Sequence, residues 1–92
     1  MIAKLNDGFK LELDETALDD VELLEDFAAM DSGNAYAMPS AVKRLLGEEN
    51  KKKLYDHLRN DKGRVSTTAV GVAISELMQS MKAGKNSSAS PT

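Results

Sequence analysis

Apolar side chains recur at helical spacing through the last third of the chain, and this pattern limits the fold more than any other feature of the sequence. The spacing i, i+3, i+4, i+7, i+8 and i+11 is met by Val70, Ala73, Ile74, Leu77, Met78 and Met81. A helix of about 3.6 residues per turn collects such positions on one face. Ser66 precedes the pattern and is a good N-cap residue. The sequence therefore predicts a helix over residues 66–82 that must bury this face against other elements.

Two shorter helices are predicted between Pro39 and Ser66, over residues 38–46 and 48–60. Each is followed by a glycine, Gly47 or Gly63, which can adopt the left-handed conformation that ends a helix. Apolar residues at spacings of three and four mark one face of each helix: Val42, Leu45 and Leu46 on the first, and Leu54, Tyr55 and Leu58 on the second. These faces are natural packing partners for the last helix.

The N-terminal part of the chain predicts a β-hairpin over residues 1–14, followed by an acidic helix over residues 19–31. Asn6-Asp7-Gly8 is a typical tight turn, and the residues after it alternate between apolar and charged. Asp19 or Asp20 can cap the helix that follows. Its expected apolar side consists of Leu23, Leu24, Phe27, Ala28 and Met30.

The predicted fold class is therefore mainly α, with about four short helices in a small bundle, an N-terminal β-hairpin and a disordered C-terminal tail. A single domain is expected over residues 1–82. Residues 83–92 contain no large apolar side chain, so they are expected to form a flexible tail. A chain this short buries only about 60% of the surface that its unfolded form exposes. Its core is marginal, and a protein partner or a homo-oligomer would add stability.

Composition narrows the environment and the class of partner. The chain has no cysteine, and none of its apolar runs is long enough to cross a bilayer. We therefore expect a cytoplasmic protein without a membrane partner. Residues 1–34 carry a net charge of −8, and residues 35–92 carry +5. Neither part forms a dense basic stripe, so nucleic acid is not the expected partner.

No catalytic, cofactor-binding or metal-binding residue is predicted, and an enzyme is not expected. The chain has no glycine-rich phosphate loop and no nucleophile motif. His57 is the only histidine and has no cysteine to share a zinc site with. The segment around Gly63 resembles a calcium loop only superficially, because Leu58, Lys62 and Ala69 stand at three of its ligand positions.

Methionine is frequent for so short a chain, and it suggests where a partner would bind. Flexible thioethers suit an adaptable groove for apolar helices, although filling an irregular core is their commoner use. Of these side chains, Met78 and Met81 are expected to be the more exposed, because they lie near the end of the last helix. The candidate partner-binding residues are Met30, Tyr36, Met38, Met78 and Met81.

Several short strings of the sequence resemble one known family. They are LLEDF at residues 23–27, GN at 33–34, LLGEE at 45–49, LYDHLR at 54–59 and DKGRV at 61–65. The chain is similar over residues 19–80 to the short tail assembly chaperones of long, flexible-tailed bacteriophages, particularly those that infect Gram-positive bacteria. The LLGEE string and the HLR and GRV strings are the most specific part of this resemblance.

The resemblance implies a mostly helical, non-enzymatic protein that binds the aggregation-prone tape measure protein until tail tube subunits polymerise around it. Such a protein would act in the host cytoplasm and would not be part of the mature virion. The family also commonly makes a longer product by a −1 ribosomal frameshift, and that product would recruit the tail tube protein. Here the codons of Gly84-Lys85-Asn86 could contain the slippery heptamer A-AAA-AAC.

Two alternatives from other classes remain open. One is a small helical regulator that binds DNA, and the other is a structural tail or neck component that stays in the particle. The basic residues that would contact DNA are Lys43, Arg44, Lys51, Lys52, Lys53 and Arg59.

Overall fold

A computed structural model describes the backbone of residues 1–89 and the side chains of residues 1–82. Three α-helices and one two-stranded antiparallel sheet make up the fold of this part of the chain. Two short 3₁₀ helices, Glu15–Leu18 and Ala35–Ala37, lie between them. The elements are β1 (Ile2–Lys4), β2 (Lys10–Glu12), α1 (Val21–Asp31), α2 (Met38–Leu58) and α3 (Thr67–Ala89).

The predicted N-terminal hairpin is confirmed, and the structure shows how it docks. Ala3 pairs with Leu11 across the two strands, and both side chains face the core. The backbone amide of Lys4 donates to Ser80 Oγ at 3.0 Å, and that of Asn6 donates to Glu76 Oε1 at 2.9 Å. These bonds satisfy edge amides that would otherwise lack a protein partner, and they hold β1 on α3.

The helix α1 begins at Val21, two residues later than predicted. The Asp20 carboxylate accepts hydrogen bonds from the amides of Glu22 (2.9 Å) and Leu23 (3.3 Å), so Asp20 is the N-cap. The expected apolar side of α1 is only partly correct. Leu23 is buried and Phe27 and Met30 are half-buried, but Leu24 and Ala28 are exposed.

The predicted count of four helices is wrong by one. The segments on either side of Gly47 follow each other with only this residue between them and form one kinked element, α2. Gly47 itself is not helical: its φ of 81° and ψ of 165° produce a kink. Gly63 also has a positive φ but does not cap the helix. α2 ends at Leu58, and Gly63 lies in a turn between Arg59 and Val65, which form an isolated β-bridge.

Helix α3 confirms the predicted apolar face, and it continues further than expected. Its last residue is Ala89, whereas the predicted boundary is residue 82, so part of the predicted tail is helical. An established helix can extend in this way because each added residue contributes one more backbone hydrogen bond. Residues 90–92 of the predicted tail lie outside the described residues.

The core joins all three helices and the hairpin in one cluster. It consists of Ala3, Leu5, Leu11, Leu13, Leu23, Ala41, Val42, Leu45, Leu46, Leu54, Val70, Ala73, Ile74, Leu77 and Met81.

Candidate partner-binding cleft

An apolar cleft of about 300 Å³ lies where the start of α2 faces the start of α3. We call it the apolar cleft. Among the residues whose side chains are described, its lining carries no charged group, and the side-chain polar groups on it are the hydroxyls of two tyrosines and one threonine. The lining residues are Ala35, Tyr36, Met38, Pro39, Tyr55, Val65, Thr67 and Val70.

Tyr36 stands at the cleft almost fully in solvent, with 94% of its surface exposed. The second 3₁₀ helix holds its backbone in place, since the Asn34 side chain accepts from the Tyr36 amide at 3.2 Å. Asn34 is in turn fixed to the end of α1, because its amide donates to the carbonyl of Ala29 at 2.9 Å. A large aromatic ring is therefore presented to solvent from an ordered backbone, and it contributes little to the protein's own core.

Met38 forms part of the cleft wall from the first turn of α2. Its side chain is half-buried and packs against the core. Its Cε lies 3.7 Å from the point that a Cβ on Gly71 would occupy, so α2 approaches α3 closely at this glycine. A thioether with several rotatable bonds can change its conformation as a ligand enters.

The other three candidate residues do not line the apolar cleft. Met30 and Met78 are half-buried and pack against the core from α1 and α3. The expectation that Met81 is exposed is wrong: its exposed fraction is 0%. Met81 lies inside a helix that continues beyond it, and the docked hairpin contacts α3 one residue earlier, at Ser80.

Sequence reasoning misses most of the cleft lining. Val65 comes from the connection into α3, Thr67 is the first residue of α3, and Tyr55 comes from the second half of α2. These segments are distant in sequence from Tyr36, and only tertiary packing brings them together. The helical pattern places Tyr55 on a packing face, and the residue is half-buried, so its second role in the cleft has no separate signal in the sequence.

The first basic residues of α2 are engaged with acidic neighbours. Arg44 contacts two carboxylates of α1, Glu22 at 3.1 Å and Asp26 at 3.4 Å. Ser40 also donates to Asp26, at 2.7 Å. These bonds fix how α1 packs on α2.

The second half of α2 repeats this pattern at its surface. Lys51 contacts Glu48 at 3.0 Å, and its hydrogen bond lowers the pKa of that carboxyl. Arg59 contacts Asp56 at 3.1 Å. A helical spacing of three places Glu48 and Lys51 on one face, whereas Arg59 reaches back to Asp56 from the residue that follows the helix.

His57 joins the hairpin to α2 through one aromatic and one polar contact. Its ring stacks on Phe9 with the centroids 4.0 Å apart, and its Nε2 lies 2.8 Å from Asp7 Oδ2. The Asp7 carboxylate also accepts a hydrogen bond from the Phe9 amide. This bond is the main cause of the lowered pKa of Asp7, and the hydrogen bond with His57 is the second. Within the described residues, no group of three or more histidine, cysteine or acidic side chains could hold a metal ion.

The helices of the described residues include none that is long and apolar enough to span a membrane. Comparisons with family models, with curated proteins and with solved structures found no match for this chain.

Proposed function

We propose that this protein is a phage tail assembly chaperone that binds the tape measure protein reversibly and keeps it soluble until the tail tube assembles. The sequence strings described above suggest the family. The observation that carries the proposal is Tyr36, a nearly fully exposed aromatic ring beside an uncharged apolar cleft. Aromatic side chains of this kind are typical anchors of protein interfaces, because burying them on binding contributes strongly to affinity.

The cleft suits short apolar segments of a client. Its volume of about 300 Å³ is at the low end for ligand pockets, so it would accept a few side chains from one face of a client helix. Covering the apolar stripes of the client would prevent the client from associating with itself. An uncharged lining and a flexible Met38 would tolerate differences between successive stripes of a long client.

A longer frameshifted product that recruits the tail tube protein is part of the same proposal. The candidate slip site at Gly84-Lys85-Asn86 lies in the last turns of α3. A −1 slip there would replace the residues after Asn86, so the extension would begin within these turns. The gene sequence tests this part directly. Codons that lack a slippery heptamer, with no overlapping reading frame after them, would remove it.

Co-expression with the tape measure gene tests the main proposal. We expect the native chain to raise the soluble fraction of the tape measure protein, and we expect Tyr36→Ala to weaken the complex about tenfold or more. Val72→Ala is a matched control, because Val72 is also exposed (53%) and does not line the apolar cleft. Unchanged client solubility with the native chain, or equal loss in both variants, would contradict the proposal.

The ion pairs formed by the basic residues argue against the DNA-binding alternative. Arg44, Lys51 and Arg59 each contact a carboxylate, so phosphate binding would have to break these pairs. A salt-dependent shift of duplex DNA would favour that alternative. Detection of the chain by mass spectrometry of purified virions would favour a structural tail or neck component instead.

A further inference from the structure

Helix α1 leaves a second apolar surface uncovered, on the side facing away from the core. It consists of Val21, which is 69% exposed, Leu24, which is 57% exposed, and Ala28, which is also exposed. Spacings of three and four residues place these side chains in one line along the helix. We call this surface the α1 stripe. None of its residues lines the apolar cleft, so the two surfaces are separate.

The α1 stripe cannot turn inward, because the opposite side of α1 is already held. Leu23 is fully buried there. The flank that carries Glu22 and Asp26 is bonded to Arg44 of α2. These contacts fix the rotation of α1, so its remaining apolar residues stay in solvent unless another polypeptide covers them.

Acidic side chains border the α1 stripe on both sides. Glu25 lies one turn after Val21, and Asp31 lies one turn after Ala28, on the opposite edge. Both are exposed, and neither forms an ion pair with any side chain of residues 1–82. A partner that buries the stripe must therefore meet two carboxylates at its rim.

The charges beside the α1 stripe indicate which kind of partner would bind there. Symmetric pairing of two α1 stripes would bring the carboxylates of both copies together, and like charges across an interface are unfavourable. A helix with lysine or arginine on both sides of an apolar seam would place opposite charges beside Glu25 and Asp31, as at the edges of a coiled coil. The same two acids repel the phosphates of nucleic acid.

We propose that the α1 stripe binds one basic amphipathic helix of another protein. The stripe supplies the apolar seam, and Glu25 and Asp31 set the orientation and the preference for a basic partner. This inference does not rest on the chaperone proposal, because it concerns different residues.

The test uses two synthetic amphipathic helical peptides with the same leucine seam, one flanked by lysines and one by glutamates. Fluorescence anisotropy with the full chain should show binding of the lysine peptide, weakening with added salt, and no binding of the glutamate peptide. Leu24→Ser should weaken binding about tenfold. Val72→Ser is the control, because Val72 has nearly the same exposure on α3, and it should leave binding unchanged.

A charge-reversal variant is the second part of the binding test. Glu25→Lys should weaken binding of the lysine peptide and improve binding of the glutamate peptide. Equal effects of Leu24→Ser and Val72→Ser, or no effect of Glu25→Lys, would overturn the proposal. Self-association that Leu24→Ser abolishes, measured by sedimentation, would also overturn it by assigning the stripe to a second copy. Tyr36→Ala should not affect this binding, so the result is separable from that of the cleft.

Discussion

Replacing Gly47 by alanine should destabilise the protein by about 1–2 kcal/mol, the net of backbone strain and a smaller gain from unfolded-state entropy. Gly47 has a φ of 81° and a ψ of 165°. This region is essentially restricted to glycine, and forcing an alanine into it costs about 1–3 kcal/mol. The lower entropy of the unfolded chain offsets roughly 0.4–1 kcal/mol of this cost. Apart from the helix backbone next to Gly47, no atom of the described residues lies within 4 Å of the added Cβ, so the cost comes from the local backbone conformation and not from contact with another element.

The kink at Gly47 is needed because α2 buries residues that one straight helix could not place on one side. The buried set is Ala41, Val42, Leu45, Leu46 and Leu54. A straight helix turns by about 100° per residue, so these positions would spread over an arc of about 220°. The kink changes the rotation of the second half and lets Leu54 reach the core. Straightening α2 would therefore expose part of this set.

Urea unfolding followed by circular dichroism measures the change in free energy, and Gly71→Ala is the matched control. Gly71 lies inside α3 without a positive φ, and a Cβ there would be in ordinary contact with Met38, at 3.7 Å. The same change should stabilise the protein at this position by about 0.5–1 kcal/mol. A Gly47→Ala variant that is more stable and more helical than the native chain would refute the reasoning, because α2 would then be free to straighten.

Three further predictions concern the core, the hairpin contact and the cleft. Met81→Ala should lower the free energy of unfolding by about 2–5 kcal/mol, because Met81 is fully buried. Met78→Ala should lower it clearly less, because Met78 is only half-buried. Equal losses for the two variants in urea titrations would contradict this prediction. Hydrogen bonds from Phe9 and His57 lower the pKa of Asp7 below its ordinary value of 3.8. The ionised carboxylate should therefore stabilise the folded protein fully at pH values above 3.8, and this stabilisation should be lost as the pH falls through the folded-state pKa. Asp7→Asn should thus be less stable than the native chain at about pH 5, with the gap closing in acid; a gap that is independent of pH would exclude the linkage. Tyr36→Ala should leave stability within about 0.5 kcal/mol while weakening client binding, and a large stability loss would show that Tyr36 is a core residue.

The elements that local rules determine can be predicted from the sequence. The six-residue apolar pattern of α3 has one consistent helical face, and Asp7-Gly8 fits a tight hairpin turn, so both predictions agree with the structure. The break at Gly47 is also predictable, because a glycine there directly follows an apolar helical face. Whether that break separates two helices or kinks one depends on packing, which the local pattern does not contain.

The site can be predicted only in part, since it depends on tertiary contacts. Tyr36 and Met38 lie in the apolar cleft, but Val70 joins them only because α3 packs against the start of α2. The wrong expectation for Met81 arises because the sequence does not say where the hairpin docks. The helical pattern assigns both Leu23 and Leu24 to the apolar side of α1, whereas packing against the core buries Leu23 and leaves Leu24 57% exposed.

The two uncovered apolar surfaces differ in charge, and this difference would separate their partners. The apolar cleft has an uncharged lining, so burial of apolar surface would dominate binding there and added salt would weaken it little. The α1 stripe is bordered by Glu25 and Asp31, so its binding would weaken as salt screens those carboxylates. One chain could then hold an apolar client while a basic helix exchanges on α1. A client complex that survives high salt while the peptide on α1 dissociates is the behaviour that two independent surfaces require.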